Sequence, residues 1–275
     1  MSKNGSQLPV INQRIHWCTQ SPGRTGKSTF ADGDISWLEF AGIPYSAVDA
    51  DSQHHTLSDR HPEIPLFDAT SSQDGFGQFL NSLPATPVLI VDFPAQATEN
   101  ILRFAAHFHM LSTFEKLGIR PTLLIFAAND PAAQDSALDT LEFFGPKADY
   151  ILVENSARFE SNAFKATPLY DRFLQAGALT ISIPRMSIAP SEWQSAQHRL
   201  GKGLSLDDMT KLPDLSPWAK VEISGVRNRF LAQLEDCAHL LLPDVSLIKN
   251  KVAREEVTTT KRPANRFGDP SLMRR

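Results

Sequence analysis

The sequence predicts an α/β fold: a mostly parallel, doubly wound sheet flanked by helices. Short apolar runs rich in Val, Ile and Leu alternate with segments of helical periodicity. The runs lack the apolar–polar alternation of a half-exposed strand, so they read as strands buried on both faces. The intervening segments are long enough to cross from one parallel strand to the next.

The elements follow in order. Residues 1–12 read as a loose leader. Arg14–Thr19 is strand-like, and Ser28–Gly42 is helix-like with Phe30, Trp37, Leu38 and Ala41 available to one face. Tyr45–Asp49, Ile64–Phe67, Val88–Asp92, Thr122–Ala127, Tyr150–Val153 and Leu179–Ile183 read as strands. Helices are expected over Phe76–Leu83, Ala97–Leu117, Pro131–Phe144, Ser161–Gln175 and Ser191–Leu200. A long closing helix is expected over Pro217–Leu242, with Val221, Val226, Phe230, Leu234, Cys237 and Leu241 at helical spacing and Pro243 ending it. The domain expectation is therefore one domain over 13–247, followed by a tail over 248–275.

Composition bounds the function. The chain has 275 residues, 41% hydrophobic and 21% charged, enough to bury a sizeable core. No apolar run approaches the roughly 20 residues of a spanning helix, so no integral membrane segment is expected. The polar start lacks the apolar centre of a signal peptide. Two cysteines, Cys18 and Cys237, make no disulfide framework, which points to a reducing cytoplasm. The net charge of −4 is uneven. The tail from Ile248 carries eight Lys/Arg against three Asp/Glu, a net of +5 that leaves −9 for the rest. An acidic body is no general polyanion binder; the basic tail, read as mostly disordered, could contact DNA.

The sharpest motif runs Ser21-Pro22-Gly23-Arg24-Thr25-Gly26-Lys27-Ser28-Thr29, between a strand-like and a helix-like run. Backbone N–H groups at a helix N-terminus point at an anion there. In this reading the loop Gly23–Thr29 cradles phosphates, Gly26 allows close approach, Lys27 reaches the β/γ-phosphates and Ser28 binds Mg²⁺. The pattern GxxxxGK(S/T) fails only at Ser21, and a chance Gly-Lys-Ser is the alternative. Two acidic sites support the first reading: Asp49-Ala50-Asp51-Ser52-Gln53 ends the second strand, and Asp92-Phe93-Pro94 ends a later one. Carboxylates at the C-terminal ends of parallel strands face the ligand crevice of an open sheet. Mg²⁺ on a nucleotide needs one or two of them. A lone Asp after a strand could equally be a helix N-cap.

On these three motifs the chain resembles the ParA/MinD family of P-loop ATPases, which has partition, septum-placement and conjugal-transfer members. Its loop reads KGGxGK(S/T), and its strands end in D-x-D-P-Q and D-x-P. The resemblance covers roughly residues 13–185 and implies the P-loop NTPase fold, with ATP and Mg²⁺ as cofactors. It implies that Asp51 helps position the attacking water, with Lys27 as its partner in catalysis. Asp92 holds the Mg²⁺ shell with Ser28 and Asp49, and Asn155 reads adenine. It further implies a homodimer and a DNA or DNA-bound adaptor partner. The family's signature lysine, which crosses the dimer, falls on Pro22, and its second loop glycine on Arg24. Arg24 either supplies the missing cation or is a solvated loop residue.

Other signals are weaker. His54, His55 and His61 read as a solvated switch-like loop in preference to a metal cluster. His107 and His109, two apart on one helix, share no face. Cys18 reads as a small core residue. Arg172, Arg185, Arg199, Lys202, Lys211 and Lys220 read as a solvated face in preference to a DNA patch. Three functions remain in view: an ATP-dependent switch for plasmid or DNA partition or mobilisation; a nucleotide-binding interaction protein without hydrolysis; and a metabolic P-loop kinase or ligase.

Overall fold

The computed structural model describes residues 10–20, 23–156 and 161–244. Most of the expected leader, Ser21, Pro22 and the basic tail lie outside the described residues. The chain runs β1 (Gln13–Cys18), α1 (Lys27–Phe40), β2 (Tyr45–Asp49), α2 (Thr56–Arg60), α3 (Gln73–Asn81), β3 (Val88–Asp92), α4 (Thr98–His107), α5 (Met110–Leu117) and β4 (Ile119–Phe126). It continues α6 (Pro131–Phe144), β5 (Asp149–Asn155), α7 (Ser161–Lys165), α8 (Pro168–Gln175), β6 (Leu179–Ile183), α9 (Ala189–Leu200), α10 (Leu206–Lys211), α11 (Pro217–Asp236) and α12 (Ala238–Leu241).

The six strands form one sheet in the order β2-β3-β1-β4-β5-β6, and every pairing is parallel. This is a doubly wound, all-parallel α/β arrangement with helices on both faces. Side chains alternate across the pleat, so the buried strands feed two cores. Ile15 and Trp17 of β1 join the α3–α6 and α8 side through Phe76, Ile101, Phe144 and Phe173. Cys18 joins the α1 and α11 side through Phe30, Trp37, Phe230 and Leu234. A third, smaller core links α9, α10 and the start of α11 through Ala189, Ala196, Met209 and Ile223.

The closing helices are fastened to the middle of the sheet. His16 on β1 sets Nδ1 2.5 Å from Asp34 of α1 and Nε2 2.7 Å from the carbonyl of Leu241. Arg14 donates to the carbonyls of His239 and Leu242, each at 3.1 Å, and pairs with Asp149. Thr122 of β4 donates to the carbonyl of Leu240. Carbonyls that a helix C-terminus leaves unpaired therefore find side-chain donors from β1 and β4. Asp244 then pairs with Ile11 by two bonds, its N–H donating to the Ile11 carbonyl and its carboxylate accepting from the Ile11 N–H.

Several expected elements are divided. Ile64–Phe67 is no strand; it contributes one parallel bridge, Asp49 to Leu66. Pro65 lacks an N–H, so a ladder cannot extend through it. The helix expected over Ala97–Leu117 breaks at Phe108–His109, where His109 takes φ 49°. The one over Ser161–Gln175 breaks before Pro168, and Thr167 caps α8 through the N–H of Tyr170. The closing helix divides at Cys237. Val221 is 66% exposed, not on the apolar face, which instead carries Ala219, Ile223, Val226, Phe230, Leu231 and Leu234. Helices α2 and α10 were not anticipated; each is shorter than two turns. The only local mark of α10 is its capping box, Ser205 with Asp208.

Gly33 sets the contact between α1 and α11. A Cβ there would lie 2.1 Å from the Phe230 ring. Gly33→Ala is expected to cost about 1–3 kcal/mol through overpacking, read as a lower urea midpoint with unchanged slope.

Candidate functional site: a phosphate loop facing strand-end carboxylates

The site lies at the C-terminal end of β1. The connection from β1 runs over the α1 face past β3 to β2. The connections through α4, α6 and α8 run over the other face and in the opposite sense. That reversal opens the crevice in which an open sheet binds its ligand.

The loop enters α1 through Gly26, which takes φ 113° and ψ 14°. No side chain caps this helix, so its first N–H groups keep no side-chain partner from the N-cap residue. A Cβ on Gly26 would lie 2.5 Å from Asn155 Nδ2. Both the angle and the space therefore require glycine. Asn155 ends β5, is buried, and donates to the carbonyl of Thr25 at 2.9 Å. Its amide braces the loop from below. Arg24 is exposed, as the solvated reading expects, yet takes φ 63°. The backbone keeps a glycine-like turn despite the side chain. Gly23, Ser28 and Thr29 complete the loop and the first turn, while Thr25 is fully buried and its hydroxyl has no partner among the described residues.

Lys27 is buried and donates Nζ to the carbonyl of Gln20 at 3.2 Å. Burial lowers its pKa from the usual lysine range, against the opposing pull of Asp92 and Asp51. Gln20 is a residue the sequence did not flag. Its side chain accepts from the N–H of Phe126 at 2.5 Å and donates to the carbonyls of Phe126 and Ala133, each at 3.0 Å. It fastens the root of the loop to β4 and α6.

Sheet register assembles the acidic side. Cys18 pairs with Asp92, and Asp92 with Asp49, so three strand ends lie in one row. Neighbouring strands stand about 4.8 Å apart, which puts both carboxylates beside the loop. Cys18 is a buried core residue whose thiol burial pushes well above its usual value, with Asp92 and Asp34 adding to the effect. Asp92 is buried too; burial raises its pKa to about 7, helped by Asp49 and Asp51 and opposed by a hydrogen bond from Ser28 and by Lys27. Its Oδ1 has no partner among the described residues. A buried carboxylate with an orphaned oxygen, bonded to the Ser28 hydroxyl, is a site that a cation would stabilise.

Asp49 is engaged differently. Its two oxygens accept from the N–H groups of Asp51, at 3.0 Å, and Ser58, at 2.9 Å. Asp51 is half-buried and accepts from the N–H groups of Gln53 and His54, each at 3.0 Å, shaping the turn that leads to α2. Its other oxygen lies 3.5 Å from His54 Nδ1. The three histidines do not share one environment: His54 is solvent-facing, whereas His61 is buried against Asp32 at 2.9 Å. Among the described residues, no three His, Cys, Asp or Glu are placed to hold a metal by themselves. Mg²⁺ carried by a nucleotide needs fewer protein ligands than that, so Ser28 and Asp92 fit it.

Strain collects here. Arg24, His55 and Gln96 are three of the four non-glycine residues at positive φ among the described residues. They lie in the loops that follow β1, β2 and β3, where unfavourable backbone needs support from its surroundings. The scattered cations of the second half lie elsewhere: Arg172 pairs with Glu142 and Arg199 with Asp214, each at 3.4 Å.

No protein-family model matches this chain, and no curated protein sequence does. Among solved structures, a nucleotide-binding protein from Archaeoglobus fulgidus in complex with ADP is similar to it. The identity is 18% and the TM-score 0.44, over 64% of this chain and 83% of that one. The MinD cell division protein of Aquifex aeolicus is 15% identical with a TM-score of 0.44, over 80% of this chain and 97% of that one. MinD in its complex with MinC, from the same organism, is 14% identical with the same score, over 80% and 96%. At such distances the functional reading rests on this chain's own residues. No described helix is long and apolar enough to cross a membrane.

Asp92→Asn removes a buried charge that lacks one partner. The variant is expected to melt above wild type by a few degrees without ligand, on the scale of about 1 kcal/mol. It is also expected to lose the further stabilisation that Mg²⁺ adds to ATP in the wild type. Differential scanning fluorimetry with ATP, with and without Mg²⁺, reads both effects.

Proposed function

We propose that this protein is a ParA/MinD-like nucleotide-binding ATPase, an ATP-dependent switch. The observation that carries the reading is one juxtaposition. Gly26, Lys27 and Ser28 open α1 beside the orphaned carboxylate oxygen of Asp92. Backbone N–H groups and a buried ammonium suit polyphosphate, and a hydroxyl–carboxylate pair suits its Mg²⁺.

Each residue has a role in this proposal. Lys27 leaves the Gln20 carbonyl for the β/γ-phosphates, where a charge-assisted bond replaces a neutral one. Thr25, Gly26 and Thr29 present loop and first-turn N–H groups, with Gly23 and Arg24 forming the outer wall. Ser28 and Asp92 hold Mg²⁺, and Asp49 acts behind them by fixing the turn that carries Asp51. Bound Mg²⁺ supplies charge neutralisation of the phosphate oxygens. Asp51 orients the attacking water from that turn. Asn155, which the resemblance assigns to adenine, is here given the bracing of the loop at Thr25.

A second reading has its own support. Pro22 stands at the position of the signature lysine, and exposed Arg24 fills the second glycine position. These favour a nucleotide-binding interaction protein with little hydrolysis over a fast, dimer-activated ATPase. A metabolic kinase or ligase would need a substrate pocket beside the loop, which nothing described here supports.

Lys27→Ala is expected to weaken Mg·ATP binding roughly ten- to a hundredfold, the worth of one charge-assisted contact. Isothermal calorimetry measures it, and equal affinities would refute the phosphate-loop reading.

Plasmid or DNA partition or mobilisation is the cellular role we propose, with a homodimer and DNA or a DNA-bound adaptor as partners. The folded unit is taken to span 13–247 and the tail 248–275. Asp244 pairs with Ile11 at the N-terminal ends of the strands, so the chain enters the tail from the pole opposite the phosphate loop. DNA held by the tail would leave the nucleotide site open. Five phosphate contacts would give a log–log salt slope of about −4.5 on duplex. Full-length protein and a chain truncated after Leu247 should differ in affinity for random-sequence duplex. A slope near zero for the full-length protein would reject the tail as a DNA contact.

A further inference from the structure

Asp32 lies on α1 one helical turn beyond Ser28, and only 2% of it is exposed. A buried carboxylate is retained only where donors converge on it. Here they come from two other parts of the chain. Arg60 Nη1 approaches at 3.3 Å and His61 Nε2 at 2.9 Å, both from the C-terminal end of α2. The backbone N–H of Leu206, the first residue of α10, donates at 3.1 Å. One side chain on the phosphate-loop helix thus holds both a helix that follows Asp51 and a helix of the third core.

Helix α2 is suspended at two points. Its first turn hangs from Asp49 through the N–H of Ser58, and its end hangs from Asp32. Its outer side is covered by residue 203. A Cβ on Gly203 would lie 2.6 Å from the carbonyl oxygen of Asp59 and 3.0 Å from the N–H nitrogen of Arg60. The stretch leading into α10 therefore packs directly on the backbone of α2. Ser36 of α1 bonds Asp207, which also accepts from Arg227 Nε at 2.6 Å, so α10 is fastened to α1 and α11 as well. The Asp32 cluster is held tightly enough to raise the pKa of His61. Burial works against its charge, but the bond to Asp32, with Glu63 and Glu39 nearby, outweighs it.

We propose that Asp32 is a positioning residue: through Arg60, His61 and Leu206 it couples the phosphate-loop helix to α2 and passes nucleotide-driven movement of the Asp51 turn to the α9–α10 module. The proposal rests on the nucleotide-binding reading and adds the route by which occupancy reaches a distant surface. The turn between Asp49 and α2 includes His55 at φ 45°, a conformation that costs energy unless its surroundings hold it. Asp49 bonds both the turn and α2, Asp32 bonds both α2 and α10, and Gly203 packs on the α2 backbone, so a contiguous set of contacts joins the turn to α10. Next to that module, the first turns of α11 carry Trp218, 71% exposed, and Val221, 66% exposed.

The test is hydrogen–deuterium exchange on the full-length chain, with and without Mg·ATP, following peptides across residues 203–212. Binding is measured in parallel by calorimetry. In wild type, Mg·ATP is expected to slow exchange there by about tenfold, the scale of one charge-assisted hydrogen bond. Asp32→Asn should bind Mg·ATP within about threefold of wild type and keep the slowing at the phosphate loop, yet lose it across 203–212. The variant Arg60→Ala keeps the His61 and Leu206 bonds to Asp32, so the buried carboxylate stays paired, and it should weaken the same response, which keeps the test decisive if Asp32→Asn fails to fold. Wild type that binds ATP without slowing at 203–212 would overturn the coupling alone. So would variants that slow as wild type does. Wild type that binds no ATP would overturn the coupling and the nucleotide reading together.

Discussion

The chain leaves β1 buried in the middle of the sheet and must enter α1 with its first N–H groups facing outward. That reversal is possible only if one residue takes a left-handed turn where there is no room for a Cβ. Gly26 meets both conditions, at φ 113° with Asn155 Nδ2 in the space a side chain would need. The rest of the site follows from this turn. It aims the helix N-terminus, buries Lys27 and brings Ser28 to Asp92. It also buries Asp32 and Asp34 on different sides of α1, where a carboxylate is stable only with partners.

Those partners explain why the structure around α1 is so heavily hydrogen-bonded. Asp34 meets His16 of β1, which in turn reaches the last turn of α12. Asp32 meets α2 and α10. Two carboxylates on one helix thus fasten different parts of the chain to α1: Asp34 the closing helices through His16, and Asp32 the helices α2 and α10. A single buried ion pair is weak evidence for stability, since desolvation offsets much of the attraction. Its effect here is on specificity: it fixes which segments lie against α1 and in what register. The same logic applies to Asp92, where burial without a full set of donors raises the pKa to about 7 and leaves an oxygen suited to a cation. That strand end is therefore less stable than it would be with every donor in place.

The sequence by itself determined the layer architecture and the place of the site. Continuous apolar runs alternating with helical segments read as strands buried on both faces, and connections of crossover length favour parallel pairing. The phosphate-loop motif and the aspartates that end β2 and β3 were legible because each depends on a local run of residues: a strand, a turn and a helix start. Tertiary structure decided what local pattern cannot encode. Pro65 reduced an apolar run to a single bridge because the partner ladder needed an N–H it lacks. Val221 kept the helical spacing yet faces solvent, because the orientation of α11 is set by Gly33 against Phe230. Gln20 and Asp32 gave no signal, since a polar residue beside a motif or on a helix becomes informative only when its distant partners are known. Those partners are Phe126 and Ala133 for Gln20, and Arg60, His61 and Leu206 for Asp32. Bonds such as Gln20 to Phe126 and Leu206 to Asp32, 106 and 174 positions apart, follow from packing, and packing is fixed only when the whole sheet has closed around β1.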